Sequence, residues 1–255
     1  MGFVLEKLSV YIVTFNEEAR LERTLKAAKQ VADEIVVVDS GSTDNTTDIA
    51  KKNGAKVIYN EWKTYCEQKH FAENQCSNNW VLLLDADEVL SDDLIKEINE
   101  CKKNPIYNAY KIKIADMLPH DKAPSKFAHR FNPVRLYNRK YAQMPKDKMN
   151  KDRVDVDPNQ KIGQLKSEIY HYSFVCVEQL VEKFNRHSTE LQKTLIKEKR
   201  KFTKLRLYTE LPCQFIKYYL FKGYIFRGVE GFICANVAAW FRFLKIAKWF
   251  EQNLK

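Results

Sequence analysis

Glycine is scarce, at 7 of 255 residues, while 45% of the chain is hydrophobic. That balance excludes a collagen-like or disordered chain and points to a globular one with a sizeable core. The six cysteines form no C-x-x-C pair, and no Cys/His cluster has zinc spacing. They read as reduced, mostly buried thiols in a reducing compartment. The N-terminus MGFVLEKLSVYIV lacks a basic n-region and moves straight into a strand pattern, so no signal peptide is expected. The longest uncharged stretch near the C-terminus, Gly231 to Phe241, is too short for a hydrocarbon layer of roughly 30 Å. Internal repeats and low-complexity tracts are also missing. The last quarter is short of acid: from Lys197 to Lys255 there are thirteen lysines and arginines against four acids, nearly the whole net charge of +10. A basic tail implies an anionic partner, whether nucleic acid, acidic lipid or a phosphorylated substrate.

What is present begins with alternation. Leu8 to Thr14, Glu34 to Asp39, Ala55 to Tyr59 and Trp80 to Leu84 read as strands. Helical stretches lie between and after them, over Glu17 to Lys29, Thr43 to Asn53, Cys66 to Cys76 and Asp92 to Lys102, with Gly54 stopping the second. Short apolar strands alternating with helices predict a parallel, doubly wound sheet. From Tyr107 to Tyr172 prolines loosen the pattern, and short alternating pieces such as Tyr110–Ile114 and Val134–Tyr137 predict extra strands around an ordered loop. From Val175 onward the chain is helical in character, with Pro212 expected to break it.

Ligands of such sheets gather beyond the carboxyl ends of the strands, and the polar clusters fall at those ends. Asp85 and Asp87 flank one alanine directly after the apolar run Val81 to Leu84. On an extended segment both carboxylates face one side, where they suit a hard divalent cation, Mg²⁺ or Mn²⁺. The plainer reading is a pair of helix caps, but Ser91 and Asp92 already supply those. Asp39-Ser-Gly-Ser-Thr-Asp44 joins a strand to a helix; Ser42 or Thr43 can cap that helix, its first amides can meet an anion, and Asp39 is suited to a base or ribose. Asn16, Glu17 and Lys69 are each open to a simpler role, as cap, first-turn charge and solvated lysine.

Together the runs LSVYIVTFNEE, ADEIVVVDSGSTDNT, GAKVI and WVLLLDADEVLS resemble the family 2 (GT-A fold) glycosyltransferases, nearest to bacterial enzymes that add sugars, often glucose, to the lipopolysaccharide inner core. The likeness is strong over residues 7–104 and weaker through Val134–Tyr137 and Ile169–Ser173. It implies an α/β GT-A (Rossmann-like), mostly parallel sheet with flanking helices and a basic amphipathic helical extension. The domains it implies are a catalytic one over 1–174, with a nucleotide-sugar half to about 104 and an acceptor half from 105, and an extension over 175–255. The resemblance also implies roles. Thr14, Asn16, Glu17, Asp39, Ser40, Lys69, Asp85 and Ala86 would meet the UDP-sugar. Asp87 and His171 would hold Mg²⁺ or Mn²⁺. His129, Arg130 and Arg135 would meet the acceptor. Relatives often carry a V-H-E-R-V-like segment whose acid is the inverting base; here Met149-Asn-Lys-Asp-Arg-Val154 puts Asp152 in that place, with Asp155 and Asp157 as rivals. This departure leaves a changed acceptor or lost activity open.

The C-terminal helix interleaves Trp240, Phe241, Phe243, Leu244, Ile246, Trp249 and Phe250 with Arg242, Lys245 and Lys248. That composition suits an anionic membrane surface, where a lipid-linked saccharide acceptor would lie; the plainer reading is packing on the catalytic domain or on a twin subunit in a homodimer. The expected location is cytoplasmic, peripheral on the inner face of the cytoplasmic membrane. A sugar nucleotidyltransferase would need a glycine-rich basic loop where Thr14-Phe-Asn-Glu-Glu18 stands. A nucleic-acid-binding module would leave the acids at the strand ends without purpose, so no nucleic-acid partner is expected.

Overall fold

The computed structural model describes residues 6–146 and 153–253. The chain begins with β1 (Leu8–Thr14), α1 (Leu21–Ala28), β2 (Glu34–Asp39), α2 (Thr46–Lys52), β3 (Lys56–Tyr59), α3 (Tyr65–Asn74) and β4 (Trp80–Asp85). It continues through β5 (Glu88–Leu90), α4 (Asp92–Lys103), β6 (Ala109–Asp116), β7 (Arg130–Phe131), β8 (Val134–Asn138), β9 (Ala142–Gln143), β10 (Asp155–Val156) and β11 (Ile162–His171). Three long helices close it: α5 (Val177–Lys197), α6 (Lys204–Ile216) and α7 (Gly228–Asn253).

The strand order is β3-β2-β1-β4-β8-β6-β11-β5, with β7 paired to β6. Strands β1 to β4 are mutually parallel, as the alternation predicts, and β8 joins β4 antiparallel. Both faces of β1, β2 and β4 are buried, which is why these strands are apolar at consecutive positions, whereas the edge strand β3 is half-exposed. On one face Val10, Ile12, Val37, Leu82 and Leu84 pack with Leu21 and Leu25 of α1 and Leu94 and Ile98 of α4. On the other, Tyr11, Val36, Val38, Val81 and Leu83 pack with Ala72 of α3 and with Cys76. Leu21, Leu25 and Ala28 recur at helical spacing and turn one stripe of α1 to this core.

Registration brings the strand ends together. Thr14 is level with Asp39, which is level with Tyr59, and Val13 is level with Asp85. At the far side His171 is level with both Glu88 of β5 and Asp116 of β6.

Local details depart from the expected boundaries. The first helix starts at Leu21 rather than Glu17, because the amides of Asn16, Glu17 and Glu18 are taken by Ser42, Thr46 and Asp44 side chains. Neither Ser42 nor Thr43 caps α2; Asp44 accepts the Thr46 amide instead. Gly54 does end α2, at φ 76°. Thr64 caps α3, its hydroxyl oxygen accepting from the Glu67 amide. The helix α6 runs through Pro212 rather than breaking there. The ring removes one hydrogen bond, but Tyr208, Leu211 and Cys213 around it are exposed, so water can take the freed carbonyl.

The described residues divide into two compact units, one of residues 6–117, 122–124, 129–146 and 153–173, the other of 118–121, 125–128 and 174–253. In the second, α7 packs along α5 and α6 around Leu118, Phe174, Leu180 and Cys234. The aromatic and basic residues expected on a membrane face of α7 largely point into this bundle. Phe241 stacks on Phe184 and Trp249 meets Phe202 edge-on. Lys245 and Ile246 are buried, and Lys248 Nζ donates to Ser188, Thr189 and Asn185. Among the described residues no helix is long and apolar enough to cross a membrane.

Candidate active site

The loop after β1 and the loop after β2 are laced together. Asn16 sits at φ 55°, a left-handed conformation that asparagine tolerates better than most residues. Its Oδ1 accepts from the Thr43 amide at 2.9 Å, while its own amide donates to Ser42 Oγ at 2.8 Å. Asp39 is buried, with Oδ1 accepting from the amides of Gly41 (2.9 Å) and Ser42 (2.8 Å). Its Oδ2 accepts from Thr14 Oγ1 at 3.0 Å and Ser42 Oγ at 2.5 Å. The first amides of this loop therefore serve Asp39, not an outside anion. Gly41 at φ 98° makes the turn that lets them converge. Ser40 Oγ accepts from buried Gln68 at 2.9 Å.

The two aspartates after β4 part company. β4 ends at Asp85, and Ala86 and Asp87 form a turn into β5, so the segment is not extended and the carboxylates meet different partners. Asp85 Oδ1 pairs with Lys69 Nζ at 2.8 Å and Oδ2 with Arg135 Nη2 at 3.2 Å. Lys69 is only 1% exposed, so it is no solvated lysine. Arg135, also buried, reaches Glu88 Oε1 at 2.8 Å, and Glu88 Oε2 accepts from the Asp85 amide at 2.9 Å. The guanidinium thus faces inward to two acids rather than outward to an acceptor. Burial opposes ionisation of Asp85, but Lys69 and Arg135 outweigh it and hold its carboxyl well below the usual range. Burial raises Glu88 to about 7, against the pull of Arg135. Ala86 is held by its carbonyl, which accepts from Thr24 Oγ1 at 2.8 Å.

Asp87 turns to the other side. Its Oδ2 lies 3.3 Å from His171 Nε2 and 3.5 Å from Arg20 Nη1, and its carbonyl accepts from the Tyr172 amide. His171 Nδ1 meets Asp116 Oδ1 at 2.9 Å. Asp116 Oδ2 lies 3.6 Å from His129 Nδ1. Arg20 is itself held by Glu17, Nε to Oε2 at 2.8 Å. Burial resists charge on both Asp87 and His171. The hydrogen bond and charge of His171 nevertheless keep Asp87 below the usual carboxylate range, and Asp116 and Asp87 push His171 up to about 10.

Asp87, His171, Asp116 and His129 therefore form one contiguous group. Arg130 lies apart from it, donating to Glu168 Oε1 at 2.8 Å from β7. Asp152 and most of the segment around it lie outside the described residues. Of its rivals, Asp157 accepts from the amide and side chain of Asn159, a turn-closing role, and Asp155 is exposed in β10. The sequence pattern does not single out Arg20, Glu88 or Asp116. Glu88 is visible as the third acid of its cluster and Asp116 as the end of an alternating strand. Arg20 has only its spacing of three from Glu17 as a signal.

The Asp87–His171 pair fits a divalent cation. Their 3.3 Å separation is close to that of neighbouring ligands, roughly 3 Å, on an octahedral ion bound at about 2.1 Å. Asp116 fixes the imidazole orientation as an outer carboxylate. Among the described residues no group of three or more His, Cys, Asp or Glu assembles as a metal cluster, so further ligands would be diphosphate oxygens and water.

The family model described as glycosyl transferase family 2 matches residues 9–150. An uncharacterized glycosyltransferase of Rickettsia typhi is 42% identical, over 98% of this chain and 89% of the relative. A lipopolysaccharide core biosynthesis glycosyltransferase of Rhizobium meliloti is 27% identical, over 96% of this chain and 93% of that one. Among solved structures, glucosyl-3-phosphoglycerate synthase from Mycobacterium tuberculosis in complex with Mn²⁺ and UDP-glucose superposes at a TM-score of 0.37. It is 21% identical and shares 44% of each chain.

Proposed function

Since this chain belongs to glycosyl transferase family 2, its reaction is sugar transfer, and we propose that it moves a sugar, glucose in the first instance, from a UDP-sugar to a lipopolysaccharide core acceptor with inversion and with the help of Mg²⁺ or Mn²⁺. The observation that carries this reading is the 3.3 Å approach of Asp87 Oδ2 and His171 Nε2 at the carboxyl edge of the sheet. The acceptor class draws on the Rhizobium meliloti relative, a lipopolysaccharide core biosynthesis glycosyltransferase.

A cation held by Asp87 and His171 would supply Lewis-acid stabilisation of the negative charge on the departing diphosphate. The remaining work belongs to the chain. Thr14, Asn16, Glu17, Asp39 and Ser40 shape the nucleoside pocket through the laced loops after β1 and β2. Their mutual hydrogen bonds hold the two loops in one shape, which favours a preorganised pocket. Lys69 and Arg135 keep Asp85 ionised and aimed, and the buried pair keeps the turn at Ala86 in place. Arg20 holds Glu17 and Asp87 at a common corner, so nucleoside pocket and diphosphate end move as one piece. His129, sharing Asp116 with His171, would meet the acceptor beside this centre. Arg130 would meet acceptor phosphate by exchanging its Glu168 partner. Inversion requires a base on the acceptor hydroxyl, and that role is assigned to Asp152 on sequence likeness. General-base help is on the order of 10²–10⁴-fold.

The test is a thermal-shift panel of UDP-, GDP-, CMP- and dTDP-sugars with and without Mn²⁺. A rise with UDP-glucose that requires Mn²⁺ supports the reading. Asp87→Asn should abolish that rise and lower transfer on the order of 10²–10³-fold. Transfer that proceeds unchanged in excess chelator overturns the metal assignment. Asp152→Asn should keep the metal-dependent shift and lose transfer.

A further inference from the structure

The second unit exposes an unusual amount of apolar surface at the hairpin between α6 and α7. After Ile216 the chain makes a π-helical turn over Lys217–Phe221, reverses at Gly223 (φ 70°), makes a short 3-10 turn over Tyr224–Arg227 and enters α7. Gly223 is required there: a Cβ would fall 2.3 Å from the Phe127 ring. The reversal leaves Phe221 77%, Phe226 76% and Val229 76% exposed, with Leu220 and Ile225 beside them. The surface continues along α6, where Leu205, Tyr208 and Leu211 recur three residues apart and are all exposed. Ring contacts tie the start of α7 to the end of α6 and the turn after it. Phe232 of α7 meets both Phe215 and Tyr219, each with centroids 5.7 Å away.

An apolar surface of this extent on a folded unit marks a docking site. Its charge says for what. From Leu211 to Val229 the chain has Lys217, Lys222 and Arg227 and no acid. Lys217 and Lys222 are exposed, whereas Arg227 is paired with Asp121. Six aromatic residues share that stretch, and rings with flanking lysines favour the headgroup level of a bilayer. A twofold contact with a second copy would bring lysines from both chains into one interface, where lysine is ordinarily depleted.

We propose that the α6–α7 knuckle is the membrane-docking surface of this protein, inserting Phe221, Phe226 and Val229 among lipid headgroups while Lys217 and Lys222 pair with anionic phosphates. The docking element is thus this knuckle and not the Trp240–Phe250 face of α7, whose side chains are largely spent on internal packing. The proposal deepens the lipid-linked acceptor of the preceding reading, but its measurement involves no sugar transfer.

The experiment is flotation of the full chain with vesicles of phosphatidylcholine alone or mixed with phosphatidylglycerol, at low salt. The wild type should float with the mixed vesicles and remain behind with the neutral ones. The double variant Phe221→Ser/Val229→Ser should lose at least about tenfold in vesicle affinity, with its melting temperature, circular dichroism and soluble donor hydrolysis unchanged. Lys217→Gln/Lys222→Gln should lose about fivefold per lysine on anionic vesicles only. Wild-type chain that ignores anionic vesicles, or a serine variant that floats as well as wild type, overturns the proposal. So does a concentration-dependent dimer that the serine variant abolishes, since the knuckle would then be covered by a second copy. Failure of vesicle binding with metal-dependent UDP-sugar shifts intact would remove the docking surface and leave the catalytic reading standing.

Discussion

Arg135 is the residue whose position alters its meaning most. Read along the chain, it is a cation in an acceptor-facing half. In the fold one guanidinium nitrogen lies 3.2 Å from Asp85 and 2.8 Å from Glu88, and the side chain is buried. Two acids share that one guanidinium, and Lys69 supplies the second cation beside Asp85. Arg135→Met should therefore cost about 3–5 kcal/mol of stability, read as a fall in melting temperature on the order of 10 °C. Arg135→Lys should recover part of it by restoring the charge. If Arg135→Met instead melts like wild type and alters only the KM for acceptor, the arginine belongs to the acceptor after all. Lys69 and Arg135 illustrate what sequence conceals. Residue type and approximate region are legible, but the partner is a consequence of strands far apart in the chain lying side by side.

Among the elements, legibility follows periodicity. Strands β1 to β4 are apolar enough on consecutive positions, and bounded clearly enough by turns, to be read within a residue or two. β11 is the longest strand and has no such pattern. Its register shifts between Gln164 and Glu168, and an irregularity there destroys the two-residue alternation on which recognition depends. Gly163 within it is needed for space, because a Cβ would fall 2.5 Å from the Tyr110 ring of β6. The helix α3 holds another feature invisible from spacing. Glu73 is buried, and its Oε2 accepts from the Met144 amide at 2.7 Å. Burial pushes its carboxyl from the ordinary 4.5 up to about 7. The folded chain then keeps a proton that the unfolded chain gives up, so this contribution to stability is full below about pH 4.5 and is lost as pH rises through about 7. Its size is at most on the order of 3 kcal/mol. Melting curves of wild type and Glu73→Gln between pH 5 and 8 should diverge, wild type losing ground as pH rises. A constant offset between them would show that Glu73 titrates normally.

At the scale of the whole molecule, composition and charge foretell more than packing does. A globular, family 2 chain with its basic excess near the C-terminus is readable from the sequence; which face of the helical unit stays uncovered is not, because α7 carries apolar residues on every side. Only the packing of α5 and α6 decides which of them are covered. The cysteines give a molecule-wide check of this packing. All six are free thiols, with Cys66, Cys76 and Cys234 buried and Cys176 and Cys213 exposed. Burial also pushes the Cys76 thiol up to about 12 and Cys234 up to about 11, far from the thiolate that alkylates. Brief treatment of the native chain with iodoacetamide should label Cys176 and Cys213, and the three buried thiols only after unfolding. Early labelling of Cys234 would mean that the helical unit opens readily.

The turn that carries Asp87 has a further consequence. Only Ala86 and Asp87 separate the end of β4 from the start of β5, and β5 is clamped to β11 with Glu88 opposite His171. One inserted residue would swap the two sides of β5, moving Leu90 from its buried place to the half-buried side that Val89 now takes. At this corner the chain tolerates no change of length, so the count of residues matters there as much as their chemistry.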